Sequence, residues 1–267
     1  MGARLNRVDE IRGITLISMI LYHFMWDLVY LAGFNFSWYT SLVGHIWQKS
    51  ICISFIIISG FCFSMGKNRI KRGFIVFLSG ALVSMVTLLV MPENRVVFGV
   101  LTFLGTASFI MIPVDKVHRK LEERLDKITL NLTMIIGSLL LFIAFFNVNA
   151  GYIFFPLKTE LPRYLYKGYV ATFMGFPDNT FFSTDYFAIL PWIFIYMFGY
   201  YVYRLYISGQ AENTEKTQEI NRFISVREYL MKDRFKYLSL IGKYSLIIYL
   251  LHQPLLYLLT ILIEKIS

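Results

Sequence analysis

The sequence has little charge and almost no cysteine. Only 16% of its 267 residues are charged while 57% are hydrophobic, and the mean hydropathy is +0.57. A water-soluble domain of this length needs more charge to cover its surface, so the composition excludes that class. The two cysteines, Cys52 and Cys62, lie in one apolar run, where a helix would separate them by about 15 Å. That separation excludes a disulfide between them.

Several familiar motifs are also absent. The sequence contains no His-Glu-x-x-His, no CxxC pair, no P-loop and no GxSxG. The first apolar run lacks a small-residue cleavage site, so we expect it to be a retained anchor. Lys and Arg outnumber Asp and Glu by 26 to 17, but they lie mostly in short segments between apolar runs. Membrane topology explains that placement, and nucleic-acid binding is not predicted.

Seven apolar runs approach the length of about 20 residues that a helix needs to cross a bilayer. They are residues 13–33, 50–66, 73–91, 97–114, 128–146, 186–206 and 238–263. The runs predict an all-α fold, a polytopic membrane helical bundle of about seven transmembrane helices. We expect one domain over residues 1–267, in a multi-pass protein of the cell membrane.

The basic residues indicate which way the helices cross. They concentrate in residues 4–12, 67–72, 116–127 and 216–236, which fall on the same side if there are seven spans. The positive-inside rule assigns that side to the cytoplasm, with the N-terminus inside and the C-terminus outside.

Two of the connections between the apolar runs are long. Residues 147–185, rich in Pro and aromatics, predict an ordered outer flap or a re-entrant segment. Residues 208–237 predict a cytoplasmic loop that is partly helical along 215–236.

Ionisable residues inside apolar runs are the candidates for chemistry, because lipid makes them costly. His23 and Asp27 are four residues apart in the first run and therefore share a helix face. His252 and Gln253 lie in the last run, at a depth close to that of His23 when both are counted from the cytoplasmic ends. Two histidines at one depth predict a shared pocket, which Asp185 is placed to approach from the outer side.

The His23 and Asp27 pair suits acid–base chemistry. A neutral imidazole takes a proton from an amine or hydroxyl, or attacks an acyl group, and a carboxylate on its other nitrogen fixes the tautomer. A structural hydrogen bond between helices is the simpler interpretation. Likewise, His252 can satisfy carbonyls freed by Pro254, and Asp185 can cap a helix.

Other polar residues have less specific interpretations. Asp9 and Arg12, three residues apart, predict an interfacial ion pair, although Arg12 also suits a phosphate. His45 is expected at the membrane interface, and His118 in a charged cytoplasmic loop without a role. His23, Asp27 and His252 alone show no second shell for zinc, so no metal is expected.

Six segments, collinear over nearly the whole chain, match the pattern of one known family. They are 8–27 (VDEIRGITLISMILYHFMWD), 58–60 (ISG), 71–73 (KRG), 97–105 (VFGVLTFLG), 183–192 (STDYFAILPW) and 240–254 (LIGKYSLIIYLLHQP). In these segments the chain resembles the bacterial branch of the heparan-α-glucosaminide N-acetyltransferase catalytic-domain family, within a wider group of transmembrane acyltransferases.

The resemblance implies acyl transfer across the membrane, from cytoplasmic acyl-CoA, usually acetyl-CoA, to a sugar or glycan acceptor outside. It implies that His23 is the catalytic histidine, with Asp27 as its orienter and His252 as a partner in the cavity. The residues implied to contact the CoA phosphates are Arg12, Lys71 and Arg72. Those implied to line the acceptor side are Asp185, Tyr186, Gln253 and His45.

Two departures leave alternatives open. In the animal enzyme of the family the catalytic histidine lies after the first span, so His45 competes with His23, as does His252. Thr102 stands where bacterial relatives often carry His or Gln, and a homodimer is a further expectation for so short a chain. The competing hypothesis is a non-enzymatic transporter or ligand-binding protein that uses the His and Asp cluster as a polar site. A third is a family member that has lost activity and serves as an assembly partner. The lack of internal repeats favours the enzyme.

Overall fold

The protein, seen in a computed structural model that describes residues 5–154, 156–212, 229–232 and 234–266, is mostly helical. Its helices are α1 (Asn6–Tyr30), α2 (Leu42–Phe63), α3 (Arg69–Val90), α4 (Val100–Glu122), α5 (Lys127–Phe145), α6 (Gly168–Met174), α7 (Trp192–Glu212), α8 (Lys236–Lys243) and α9 (Ser245–Ile266). One antiparallel hairpin joins β1 (Tyr152–Phe154) to β2 (Lys158–Glu160). The helical class predicted from the apolar runs is confirmed.

Among the described residues, six helices are long and apolar enough to cross a membrane. They are α1, α2, α3, α4, α5 and α9. The helix α7 has 21 residues but is not among the six, because five tyrosines and Arg204 lower its hydropathy. The count of seven and the side on which each terminus lies therefore stay predictions.

The chain divides into two compact units, and the division falls within α2. Unit 1 comprises residues 5–58 and 229–266, and unit 2 comprises residues 59–212.

In unit 1, α1 packs alongside α8 and α9, and the helices run in the same direction. The Glu10 carboxylate accepts hydrogen bonds from the backbone N–H groups of Arg234 and Phe235, which precede α8, at 2.7 and 2.9 Å. Farther along, Gly13 and Gly242 let the backbones touch: a Cβ on Gly13 would lie 2.2 Å from the carbonyl oxygen of residue 238. Small residues at such crossings allow close helix packing in membranes.

In unit 2, α3 packs on α4, and α5 packs on α7. The α3–α4 contact is close because a Cβ on Gly80 would lie only 2.5 Å from the Thr102 nitrogen. An ion pair of 2.6 Å between Arg69 and Asp115 joins the start of α3 to the later part of α4. This bond places the basic segments 67–72 and 116–127 at one end of the unit. The seven-span prediction likewise assigns both segments to one side of the membrane.

The opposite end of unit 2 carries residues 147–185, the outer flap of the sequence prediction. Its described residues, 147–154 and 156–185, contain the β-hairpin and α6. Phe98, at the α4 side, packs its ring 5.0 Å from that of Phe173 and 5.9 Å from that of Phe181. Phe98 also has a positive φ of 56°, unusual for a residue with a side chain.

Several predicted boundaries are wrong. The helix α1 begins at Asn6 rather than at residue 13, and α7 begins at Trp192 rather than at residue 186. The last predicted span is divided at Tyr244, because Lys236, Ser239 and Lys243 make α8 amphipathic and the uninterrupted apolar run begins with α9.

The largest error concerns α4, which continues through Pro113 to Glu122. The charged residues after Pro113 resemble a loop in the sequence, but their partners lie on neighbouring helices. Of the predicted cytoplasmic loop, residues 208–212 are helical, whereas residues 213–228 and 233, and with them most of the predicted helix 215–236, lie outside the described residues.

Candidate active site

The structure brings His23 and His252 together in unit 1. His23 lies on α1 and His252 on α9, and the centroids of their rings are 5.0 Å apart. The Tyr249 ring, one turn before His252, lies 5.3 Å from the His252 ring. The equal depth inferred by counting residues along two parallel helices thus corresponds to a real contact.

One turn farther along α1, Asp27 is fully buried, with 0% of its surface exposed. Its Oδ1 atom accepts a hydrogen bond of 2.9 Å from Nε2 of Gln253. The bond fixes the Gln253 amide so that its Oε1 atom is left as an acceptor. The hydrogen-bond partner of Asp27 is therefore Gln253 on α9. The role of Asp27 in orienting the His23 ring stays a prediction.

The ring of His252 is oriented by its own helix. Its Nδ1 atom is hydrogen-bonded to the carbonyl oxygen of Tyr249. A carbonyl only accepts hydrogen bonds, so Nδ1 carries the hydrogen, and in the neutral ring Nε2 is left with a free lone pair. The bond is not the one that a proline kink would explain, because Pro254 frees the carbonyl of Leu250, four residues before it.

Three buried polar atoms in this place have no hydrogen-bond partner among the described residues. They are Oδ2 of Asp27, Nε2 of His252 and Oε1 of Gln253. Buried polar atoms are almost always paired in folded proteins, and each unpaired one costs about 1–3 kcal/mol. Three together, beside a second histidine, form a buried polar cluster whose free hydrogen-bonding capacity suits a polar ligand.

The remaining predicted residues of unit 1 have contacts of their own. Arg12 forms an ion pair of 2.8 Å with Asp9, as the sequence spacing predicts, and its guanidinium lies 3.4 Å from the carbonyl oxygen of Gly242. His45 is exposed on the first turn of α2, and its Nδ1 atom lies 2.9 Å from the carbonyl oxygen of Ser41.

Four predicted residues belong to unit 2. Lys71 and Arg72 are exposed on the first turn of α3. The Asp185 carboxylate accepts a hydrogen bond of 3.2 Å from the backbone N–H of Val100, so it caps α4 rather than the helix that follows it in sequence. The Tyr186 hydroxyl donates a hydrogen bond to the backbone carbonyl of Thr172 in the flap.

Sequence reasoning missed a second buried polar cluster, at the basic end of unit 2. His118 is only 2% exposed, and its Nε2 atom lies 3.0 Å from Oδ1 of Asn131 and 3.2 Å from Oε1 of Glu122. Glu122 is also paired with Arg204 of α7. The prediction that His118 lies in a charged loop is wrong. The helical spacing of four between His118 and Glu122, and between Asp115 and Arg119, was the signal that could have revealed it.

Metal binding finds no support in the part of the chain that is described: no group of three or more His, Cys, Asp or Glu side chains there is arranged to hold an ion.

Comparison with known proteins gives one family match. The family described as heparan-alpha-glucosaminide N-acetyltransferase, catalytic, matches residues 4–254. No curated protein and no solved structure matches the chain. The match covers both helices that carry the paired histidines and nearly all of the sequence between and around them. The chain belongs to the heparan-alpha-glucosaminide N-acetyltransferase catalytic family, a family of transmembrane acetyltransferases.

Proposed function

We propose that the protein is a transmembrane acetyltransferase of the cell membrane that moves an acetyl group from cytoplasmic acetyl-CoA to a sugar or glycan acceptor outside. The observation that carries the proposal is the set of unpartnered buried atoms of Asp27, His252 and Gln253 beside the His23 ring. A chain that keeps such atoms buried loses stability, and a substrate that pairs with them offsets that cost.

In the proposed reaction His252 is the base. Its Nε2 lone pair takes a proton from the amine or hydroxyl of the acceptor, which then attacks the thioester carbonyl. The new carbon–nitrogen or carbon–oxygen bond forms, the carbon–sulfur bond of the donor breaks, and the thiolate of CoA takes up a proton. In a two-step variant an imidazole nitrogen first takes the acetyl group from the thioester and then passes it to the acceptor, so the overall bonds made and broken are the same.

Asp27 and Gln253 position the acceptor in this proposal. Oδ2 of Asp27 and Oε1 of Gln253 both accept hydrogen bonds, so together they favour a group that brings polar hydrogens, as amines and hydroxyls do. The ring of His23 is in contact with the ring of His252 and belongs to the same polar cluster. His45, Asp185 and Tyr186 stay predicted contacts of the acceptor.

The proposal has seven crossings, with the N-terminus in the cytoplasm as the basic residues predict. The helices α1 and α9 run in the same direction, which requires an odd number of crossings if both span the bilayer. The helix α7 runs between the same two ends of unit 2 as α3, α4 and α5, and its 21 residues extend about 31 Å, enough to cross the hydrocarbon core.

With that topology Arg12, Lys71 and Arg72 lie at cytoplasmic helix ends, where they suit the phosphates of the donor. The donor must still extend its acetyl end about 16 Å along α1, the axial distance from Arg12 to His23. The flap and the loop at 208–237 complete a single catalytic domain in this proposal, and a homodimer is compatible with it.

The test is transfer of radiolabelled acetate from acetyl-CoA to a panel of amino sugars and neutral sugars, with the full chain in lipid nanodiscs. We expect His252→Ala to abolish transfer, His23→Ala to reduce it strongly, and His45→Ala, with its exposed ring, to leave most of it. Transfer that survives both His23→Ala and His252→Ala would exclude the mechanism. Binding of a polar solute without any transfer would favour the transporter or ligand-binding alternative.

A further inference from the structure

An open cleft of about 460 Å³ lies on unit 2 where α4 ends and α5 begins. The residues that line it are Arg119, Glu122, Glu123, Lys127 and Arg204. Three of these five side chains are cationic, and they come from three different helices. The residues of the cleft belong to unit 2, whereas His23, Asp27, His252 and Gln253 of the candidate active site belong to unit 1.

The carboxylates beneath the cleft are already saturated by protein donors. Glu122 accepts from Arg204 at both of its oxygens and from Asn131 at 3.1 Å. Asp115 accepts from the Tyr200 hydroxyl at 2.7 Å, and from two guanidinium groups. Their negative charge is therefore compensated within the protein, and they are poor partners for a cation entering from outside.

The donors at the mouth of the cleft are less occupied. Arg119 binds Asp115 through Nε, 44% of its side chain is exposed, and it lines the cleft. Lys127 is exposed at the first position of α5. The 19-residue helix α5 directs its N-terminal N–H groups to the same place, and one of them, that of Thr129, is taken by Asp126 at 2.7 Å. Glu123 is the exposed acid on the rim.

A site with cationic donors and a helix N-terminus suits an oxyanion. Guanidinium groups bind phosphate through paired hydrogen bonds, and helix N-termini favour the same charge. Basic pockets between membrane helices on the cytoplasmic side bind lipid headgroups, and this end of unit 2 is the one that carries the basic segments. We propose that the cleft binds a phosphate ester, either the headgroup of an anionic phospholipid or the phosphate of a soluble ester.

Binding tests with the full chain in a neutral detergent distinguish the two sources. One arm titrates phosphatidylglycerol against phosphatidylcholine, the other titrates glycerol 3-phosphate and inorganic phosphate against glycerol, and thermal stabilisation is measured in both. We expect a saturable rise in melting temperature in one arm. Saturation by phosphatidylglycerol alone assigns the cleft to lipid, and saturation by a soluble phosphate assigns it to an ester in the cytoplasm.

Substitutions locate the site. Lys127→Gln is expected to weaken binding about fivefold, and Lys127→Arg is expected to retain it. Lys120→Gln is the matched control, since Lys120 is exposed on α4 but does not line the cleft. The proposal is overturned if neither arm saturates, or if Lys120→Gln weakens binding as much as Lys127→Gln does. Because acetyl transfer is not the readout, failure here leaves the proposed activity untouched.

Discussion

Two buried polar clusters, one in each unit, differ in how completely their polar atoms are paired. In unit 2, every oxygen of Asp115 and Glu122 accepts a hydrogen bond from a neighbouring side chain. In unit 1, one oxygen of Asp27 and the Nε2 atom of His252 have no partner among the described residues. A satisfied network holds helices in one arrangement, whereas an unsatisfied one costs stability and marks a place where a ligand binds. The two clusters therefore invite opposite outcomes on substitution.

The largest expected effect is on catalysis in unit 1. Replacing His252 with leucine (His252→Leu) removes the proposed base and is expected to lower acetyl transfer by about 10²–10⁴-fold. Stability should stay equal or rise, because an unpartnered buried nitrogen is replaced by an apolar group. Transfer rates and the melting temperature of the same preparation give both readouts. A large fall in melting temperature would show that His252 holds the helices together, as the paired network of Asp115 and Glu122 does in unit 2.

The converse experiment is on Glu122 in unit 2. Glu122→Leu leaves Arg204 buried without its counter-charge, and breaking such a pair costs about 3–5 kcal/mol. We expect a clear fall in the free energy of unfolding, measured by denaturant titration in mixed micelles. Glu123→Leu is the matched control, since Glu123 is exposed beside it. Equal stability of the two variants would show that the buried network does not hold the helices.

A smaller effect is expected for Gln253, whose side-chain amide is paired at one end and unpaired at the other. Its amide stabilises Asp27, and its other end is unpartnered. Gln253→Leu leaves the whole Asp27 carboxylate without a donor, which costs about 1–3 kcal/mol. We expect reduced stability together with reduced transfer, whereas His252→Leu reduces transfer alone. Unchanged stability would mean that the Asp27 contact contributes little.

The smallest effect concerns Asp178, a partly exposed acid of the flap. Backbone N–H groups of Thr180 and Gly168, together with the Thr180 hydroxyl, hold the pKa of Asp178 below its usual value. A lowered pKa stabilises the flap fully above the unfolded value of about 3.9, and the contribution is lost as the pH falls through the lower native value.

Pepsin, which acts in acid, measures this loss. We expect cleavage within residues 168–180 to increase as the pH falls below about 4. In Asp178→Asn the additional pH dependence should disappear. A wild-type flap that is cleaved equally at every pH in this range would show that the carboxylate contributes nothing to its order.

How far the sequence predicts the structure differs between these regions. The approach of His23 and His252 followed from counting at 1.5 Å per residue along two helices that enter from one side, which needs no knowledge of packing. The bond from Gln253 to Asp27 depends on how α9 is rotated about its axis. Rotation is set by side-chain packing between helices, so the pattern of apolar residues does not encode it.

The extent of α4 was hidden for a related reason. Pro113 and the charges after it are typical of a helix end in a single sequence. The partners that make burial of Asp115, His118 and Glu122 tolerable come from α3, α5 and α7, as Arg69, Asn131 and Arg204. Tertiary contacts thus outweighed a local signal for termination.

The contact between Asp27 and Gln253 joins residues 226 positions apart in the chain. During synthesis α1 is made long before α9, so Asp27 can meet Gln253 only after α9 has been made. A product that ends before α9 therefore keeps a buried-type acid on α1 without this donor, which is costly in an apolar helix. Such a product also lacks His252, so we expect it to have neither the pairing of Asp27 nor the proposed activity.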